Sequence, residues 1–443
     1  MTSQTQELRR DIGVWGAMMM GLGSIVGTGV FVSIAIAAGI AGTNVIFAIA
    51  LAAVVAICNG LSSAQLAANY PISGGTYEYG YRLLPKVVGF VAGWMFLFAK
   101  SASAATAALG LSGYLLLGAQ QSGRFVTTAL AIGVLSLLTV LTLIGIKRTN
   151  GINIAIVSVT LATLLCFVVM GAPVAFSNAS ENLFSAVSLN KFFETGDSWS
   201  SLLHATALMF VAYIGYDRIA TLGEEVKDPR RTIPLAVITT LAVSMLLYLL
   251  VALVAVSAVG AEAFAAASRN HIAALRVVAD QFSHPWVGIV VSIGAVTAML
   301  GVLLNLILGL SRVMLAMARR KDMPQRCADV SQTSGVPMPA TISVAAIIGL
   351  LVLIGDIKLT WSFSAFAVLI YYSITNLCAL QLKPAQRIFP IWTAWVGLFA
   401  CFTLAFWVDR QVWLVGLGLL ALGLLWFFVA SRLRTGATAD GAT

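Results

Sequence analysis

The sequence predicts an all-α membrane protein of about twelve transmembrane helices, and three observations carry that reading. Apolar residues fill 60% of the 443 positions and charged residues only 10%, with a mean hydropathy of +0.95; a soluble domain carries about a quarter charged residues. Long apolar runs alternate with short polar breaks, the pattern of a bundle embedded in a bilayer. The runs are too long and too continuous for the strands of a closed barrel, which leaves helices as the way to satisfy the backbone in lipid.

The apolar runs place spans near residues 12–40, 42–69, 87–117, 125–146, 152–172 and 200–222, then 232–258, 286–318, 338–356, 360–381, 389–407 and 411–431. Spans 1, 3 and 8 exceed the roughly 20 residues a bilayer needs, so they must tilt, break or project. The polar segment 1–11 runs straight into the first span, which reads as a retained helix and not a cleaved leader. Between spans, the outer loops 173–199 and 259–285 are the longest. The second holds Phe264, Ile272, Leu275, Val278 and Phe282 among polar residues, the makings of a short surface helix or a plain connection.

The net charge of +9 does not point to nucleic acid, because the positive residues sit in short loops beside apolar spans. With the N-terminus inside, eighteen of the 26 Lys and Arg fall on the cytoplasmic side and six outside, with Lys100 and Arg218 within spans. Both termini are therefore expected in the cytoplasm of a cell-membrane protein. Cys58, Cys166, Cys327, Cys378 and Cys401 are scattered with no CxxC pair, and three dispersed histidines offer no metal site. No cofactor is expected.

Spans 1 and 6 are both interrupted in mid-run. Span 1 carries Gly21, Gly23, Gly27 and Gly29, and span 6 carries Ala212-Tyr213-Ile214-Gly215-Tyr216. Lying five spans apart, they fit a 5+5 inverted repeat with two broken helices, followed by two C-terminal helices. The domain expectation is thus a segment 1–11 and a transport core 12–381 (repeats of about 12–172 and 200–381). Helices 11 and 12 follow over 382–434, and a small polar tail, 435–443, is expected to be disordered.

The stretch Gly23-Ser24-Ile25-Val26-Gly27-Thr28-Gly29-Val30-Phe31 is the most informative in the chain. Each glycine costs a helix about 1 kcal/mol relative to alanine. Where a helix opens, a half-helix N-terminus presents N–H groups to an anion and the freed carbonyls face a cation. Spacing alone leaves a second reading open, since Gly23-x-x-x-Gly27 also suits close helix packing. A phosphate-cradling loop does not fit, because no strand precedes it and no acid follows at the required spacing.

The same stretch resembles the first-helix signature of the amino acid–polyamine–organocation (APC) superfamily. Further stretches agree in order and spacing: Ser63-Ala64-Gln65-Leu66-Ala67 continuing to Pro71-Ile72-Ser73-Gly74-Gly75-Thr76-Tyr77; Phe210 to Asp217 with Glu224 to Pro234; and Ser311 to Arg319 ending at Pro324. The resemblance covers roughly residues 12–380 and lies nearest the cationic-amino-acid-transporter-like branch. It implies that Gly27, Thr28 and Gly29 offer donors to a substrate carboxylate. Ile25, Val211 and Ile214 would offer carbonyls to the amine, and a zwitterion in a dry site needs both ends satisfied. Phe210 or Tyr213 would serve as an aromatic lid or as packing.

Three positions depart from the family pattern. Gln65 replaces the usual glutamate near the cytoplasmic gate. Thr160 stands where proton-coupled relatives carry a lysine in helix five, and Arg320 replaces the usual acid after Met-Ala-Arg. A lysine-based proton switch is therefore not expected at position 160.

Ionisable residues inside spans are functional candidates by default. Lys100 has no acid near it in sequence; counting back from Gly113-Tyr114-Leu115, the family resemblance implies that it aligns with the part of helix three that lines the side-chain pocket in relatives, against snorkelling or a structural salt bridge. Asn305 on helix eight is the polar candidate for the same pocket, or a packing residue. Asp217 and Arg218 follow the span 6 break as gating or coupling candidates, or as a structural pair with each other. These readings converge on a secondary active transporter moving amino acids by alternating access, neutral or acidic ones favoured, with an ion or second substrate co-transported or exchanged. A polyamine or organic-amine exchanger would need acidic pocket residues, and Asp217 is the only acid within a span. A membrane-embedded enzyme would need a catalytic pair, whereas His204 stands alone; a channel would need repeated polar lining residues.

Overall fold

A computed structural model describes residues 12–71, 74–116, 123–145, 150–184, 196–220, 226–271, 273–331 and 335–439. Those residues are helical throughout, apart from turns and one isolated bridge between Ile12 and Val226. The segment 1–11 and the family-like stretches at 72–73 and 221–225 lie outside the described residues, as do 440–443.

The first apolar run is broken where the glycines crowd. Helix α1 (Val14–Ile25) stops at Val26, whose backbone is extended, and the chain resumes through a π-helical turn (Gly29–Ser33) into α2 (Ile34–Ala41). Next come α3 (Val45–Asn69), the short α4 (Thr76–Leu83), α5 (Lys86–Leu115), α6 (Arg124–Leu143) and α7 (Asn150–Ala179). The sixth apolar run is broken in a similar way. Helix α8 (Gly196–Ala212) ends in a four-residue turn over 213–216 before the one-turn α9 (Asp217–Ala220).

Helix α10 (Pro229–Val259) follows, and then the loop 259–285, which forms two short helices, α11 (Ala261–His271) and α12 (Ala274–Ala279). Phe264, Leu275, Val278 and Phe282 are buried in the main core, so this loop is an integral part of the bundle and not a surface helix. The chain closes with α13 (Trp286–Arg319), α14 (Met338–Ile354), α15 (Ile357–Leu380), α16 (Ile391–Ala405) and α17 (Arg410–Ala439). Helix α17 continues past Arg434, beyond the boundary the composition suggested. Thr435–Ala439, expected to be disordered, lie on its last turns.

Among the described residues each expected span falls largely on helix, with interruptions in spans 1 and 6. Eight stretches are long and apolar enough to cross a membrane, counting Val14–Asn69 as one, and Met338–Ile354 and Ile391–Ala405 are shorter apolar helices. Two sets of helices meet around the breaks. Helix α10 packs on α1, α3 and α7, while α5 packs on α13, α14 and α15. Small residues allow the closest approaches: a Cβ on Gly23 would lie 2.5 Å from Asn153 Oδ1, and one on Gly80 would lie 2.7 Å from the Gly89 Cα.

The junction of α4 with the end of α13 is held by side chains. Arg320 pairs with Glu78 and lies over the Tyr77 and Tyr81 rings. Buried Asp322 accepts from the Tyr77 hydroxyl at 2.7 Å and from Tyr81. Burial first, and then that hydrogen bond, hold the Tyr77 phenol above its ordinary pKa, so it remains a donor. The unexpected Arg320 is therefore matched by an acid on a different element.

Candidate functional site: two helix breaks and a charged wall

The two breaks lie against each other, and glycine makes this possible. A Cβ on Gly29 would fall 2.9 Å from the Ala212 Cα, and one on Gly215 would fall 2.6 Å from the Ser24 carbonyl carbon. Both distances are to backbone, which cannot rotate away. The glycines at the openings thus also let the two openings touch.

Opening the helices leaves polar groups without their usual partners. Val30 N and Phe31 N both bond to Gly27 O at 3.2 Å, whereas the N–H groups of Gly27 and Thr28 have no backbone acceptor among the described residues. The buried Thr28 hydroxyl also lacks a partner there. On the carbonyl side, Ile25 O and Ala212 O both receive the Tyr248 hydroxyl, at 2.9 and 3.0 Å. One end of the junction therefore offers donors to an anion, and the other gathers the negative poles of α1 and α8.

A small cavity of about 40 Å³ sits at this junction, lined by Ile25, Thr28, Gly29, Val211, Ala212 and Ile214 together with Lys100, Ser103, Trp361 and Ser364. A larger one of about 360 Å³ adjoins it and shares Ser24, Lys100, Val302 and Leu306. Its wall follows one face of α13, through Val302, Asn305, Gly309, Arg312, Ala316 and Arg319, spaced three and four apart as one helix face requires. The cavity thus runs from the breaks to the Arg319 end of that helix.

Lys100 stands where the two cavities meet. Its Nζ lies 3.4 Å from Asp217 Oδ2, with side-chain exposures of 9% and 13%, and 5.7 Å from the Phe96 ring centroid. The acid that Lys100 lacks in its own stretch of sequence comes from the first residue of α9. Asp217 therefore faces across the cavity to α5. Around the pair, the cavity wall carries Arg218, Arg312 and Arg319; among the described lining residues Asp217 is the single carboxylate.

The remaining expected residues separate into two groups. Asn305 and Arg218 line the larger cavity, and a Cβ on Gly27 would point at Val302 Cγ2, 2.6 Å away, on its wall. Phe210, Tyr213, Gln65 and Thr160 line neither cavity. Phe210 is fully buried and meets Tyr372 edge-on at 5.7 Å, while Tyr213 packs on Tyr248 and donates to Ile49 O at 3.3 Å. Gln65 accepts from Ile388 N at 3.4 Å, and the Thr160 hydroxyl turns back to Ile156 O at 2.8 Å.

Sequence reasoning missed four residues. Ser103 and Ser364 form a hydroxyl pair at 2.7 Å, and Trp361 donates to Leu208 O at 3.0 Å beside the small cavity. Tyr248 reaches both breaks from a span whose composition marks it only as apolar. A lone tyrosine among aliphatic residues was the one available signal, and it does not say what the hydroxyl touches.

Comparison with known proteins agrees with the geometry. An amino acid permease family profile matches residues 12–436. An uncharacterized transporter of Mycobacterium tuberculosis (strain ATCC 25618 / H37Rv) is 39% identical over 422 residues, covering 94% of this chain and 90% of that protein. The branched-chain amino acid permease BcaP of Bacillus subtilis is 26% identical over 459 residues, covering 97% and 95%. Cationic amino acid transporter 4 of Homo sapiens is 28% identical over 393 residues, covering 85% of this chain and 60% of its own length. Two helices broken by glycine around a shared cavity, and a profile match over nearly the whole chain, lead to one conclusion: this multi-pass membrane protein belongs to the amino acid permease family of the APC superfamily and is a transporter, not an enzyme.

Proposed function

We propose that the protein is a secondary active transporter of neutral or acidic amino acids, working by alternating access across twelve spans with both termini in the cytoplasm. On this reading the larger cavity is the cytoplasmic vestibule. The substrate carboxylate docks on the N–H groups of Gly27, Thr28 and Gly29, and its amine docks on carbonyls of Ile25, Val211 and Ile214, with the Ala212 carbonyl beside them. The side chain extends toward Lys100, Ser103, Ser364 and Asn305. A co-transported ion or an exchanged substrate supplies the driving force. With Thr160 where proton-coupled relatives carry lysine, transport does not depend on titration at that position.

The observation that carries the substrate class is the Lys100–Asp217 pair on the cavity wall. An isolated Lys100 would repel a cationic side chain at about 4 Å by on the order of 4 kcal/mol at an effective dielectric near 20. Pairing with Asp217 cancels most of that field, so the wall is close to neutral and suits a neutral side chain first. A cationic substrate gains only by displacing Lys100 from its carboxylate, which leaves an ammonium in a poorly solvated site. The three arginines along the vestibule add a positive field that favours anions over polyamines. Uptake of labelled amino acids into proteoliposomes, competed by neutral, acidic and basic amino acids and by putrescine, tests this. Strong competition by arginine or putrescine, with none by neutral or acidic amino acids, would refute the assignment. Separate imposed proton and sodium gradients then identify the coupling, and sodium-driven accumulation would overturn the expectation of exchange or of proton coupling through a group such as Asp217.

A further inference from the structure

We infer that Tyr248 is the positioning residue of the amine subsite, a single hydroxyl that holds the carbonyls of both broken helices in register from behind the substrate. Its side chain is fully buried on α10, its ring packs on Tyr213 at 5.2 Å, and its hydroxyl lies 2.9 Å from Ile25 O and 3.0 Å from Ala212 O. Ile25 is the last residue of α1, and Ala212 is the last of α8. Both acceptors line the small cavity, whereas Tyr248 does not. A phenol has one proton to donate and each carbonyl has two lone pairs. Sharing that proton fixes the direction of both carbonyls while leaving acceptor capacity on each. The negative poles of two half-helices thereby converge on one place, which suits an ammonium group and nothing anionic. Because the hydroxyl approaches from outside the cavity, it orients these groups without competing for the same space.

The inference rests on the proposed amino acid site, and its test separates the two. Purified wild type and Tyr248→Phe are compared for binding of the tightest neutral ligand among L-alanine, L-valine and L-leucine, and for binding of the corresponding 2-hydroxy acid. The hydroxy acid keeps the carboxylate and side chain but lacks the ammonium. The ratio of the two affinities is read within one preparation, so a lower yield of folded protein cancels. Tyr248→Phe is expected to reduce the preference for the amine roughly tenfold or more, with binding of the hydroxy acid little changed. An unchanged ratio, or an amino acid bound more tightly by the variant, overturns the positioning role. If Tyr248→Phe does not fold, 3-fluorotyrosine at position 248 supplies a near-isosteric, stronger donor. Its ratio should equal or exceed that of the wild type, and a lower ratio overturns the inference. A wild type that binds none of the three amino acids refutes the proposed site itself, whatever Tyr248 does.

Discussion

The two halves of the cavity are built from different materials. At the breaks, the groups proposed to recognise substrate are backbone: N–H groups around Gly27 and Thr28, and carbonyls including those of Ile25 and Ala212. Along the wall they are side chains contributed by helices far apart in sequence, chiefly Lys100 from α5, Asp217 from α9 and Asn305 from α13. On the proposed reading, backbone groups recognise what every amino acid has in common, an ammonium and a carboxylate, and the wall recognises what differs. Damage to the first should therefore abolish binding of all substrates alike, and damage to the second should change their order.

The largest effect should come from the break. Gly29→Val drives a branched side chain into the Ala212 backbone, where a Cβ alone would lie 2.9 Å from the Cα. Uptake of every amino acid should fall to background, with the folded fraction also reduced, as size-exclusion profiles would show. Gly27→Ala is milder, since its Cβ meets the end of the Val302 side chain, which can turn. It should fold normally and weaken all substrates together. Wild-type transport by either variant would mean that the breaks do not bind substrate.

The next largest effect concerns the wall. Asp217→Asn leaves Lys100 facing the cavity without its carboxylate, and removing one member of a buried pair costs about 3–5 kcal/mol where water is fully excluded. Here the pair borders a cavity, so the loss in stability should be smaller. The substrate order should move toward acidic amino acids, measured by competition. Lys100→Ala exposes the carboxylate and should move it toward basic ones.

Smaller still is the lock between α4 and α13. Arg320→Gln removes a pair whose arginine is 39% exposed, so the cost should be about 1 kcal/mol or less, seen as a shift of a few degrees in thermal unfolding. Substrate order should not change. Thr160→Ala, which loses only a bond back to Ile156 O, should leave the pH dependence of uptake unaltered.

The contrast between backbone and wall also explains what could be read from the chain alone. Both breaks were legible because glycine placement is a local property: the first helix opens at Val26 among Gly21, Gly23, Gly27 and Gly29, and the second over 213–216 around Gly215. Lys100 was legible as costly, but its partner lies 117 positions later and only the fold brings Asp217 across to it. The same limit hid Glu78 as the match for Arg320. Phe210 and Tyr213 were candidate lids or packing residues by position along span 6; in the structure Phe210 meets Tyr372 and Tyr213, in the turn after α8, meets Tyr248. Tyr248 was beyond reach, because no local pattern indicates that one hydroxyl will serve carbonyls from two other helices.

The most direct test of this division of labour is one competition panel run on two proteins. Wild type and the Lys100→Ala/Asp217→Asn double variant, which removes both charges together, are reconstituted and challenged with neutral, acidic and basic amino acids. The account predicts that the double variant still takes up neutral amino acids, with affinities within about threefold of wild type, while exclusion of basic side chains weakens and the preference for acidic ones set by Arg218, Arg312 and Arg319 persists. Loss of all amino acid binding in a well-folded double variant, or a specificity profile identical to that of the wild type, would contradict it.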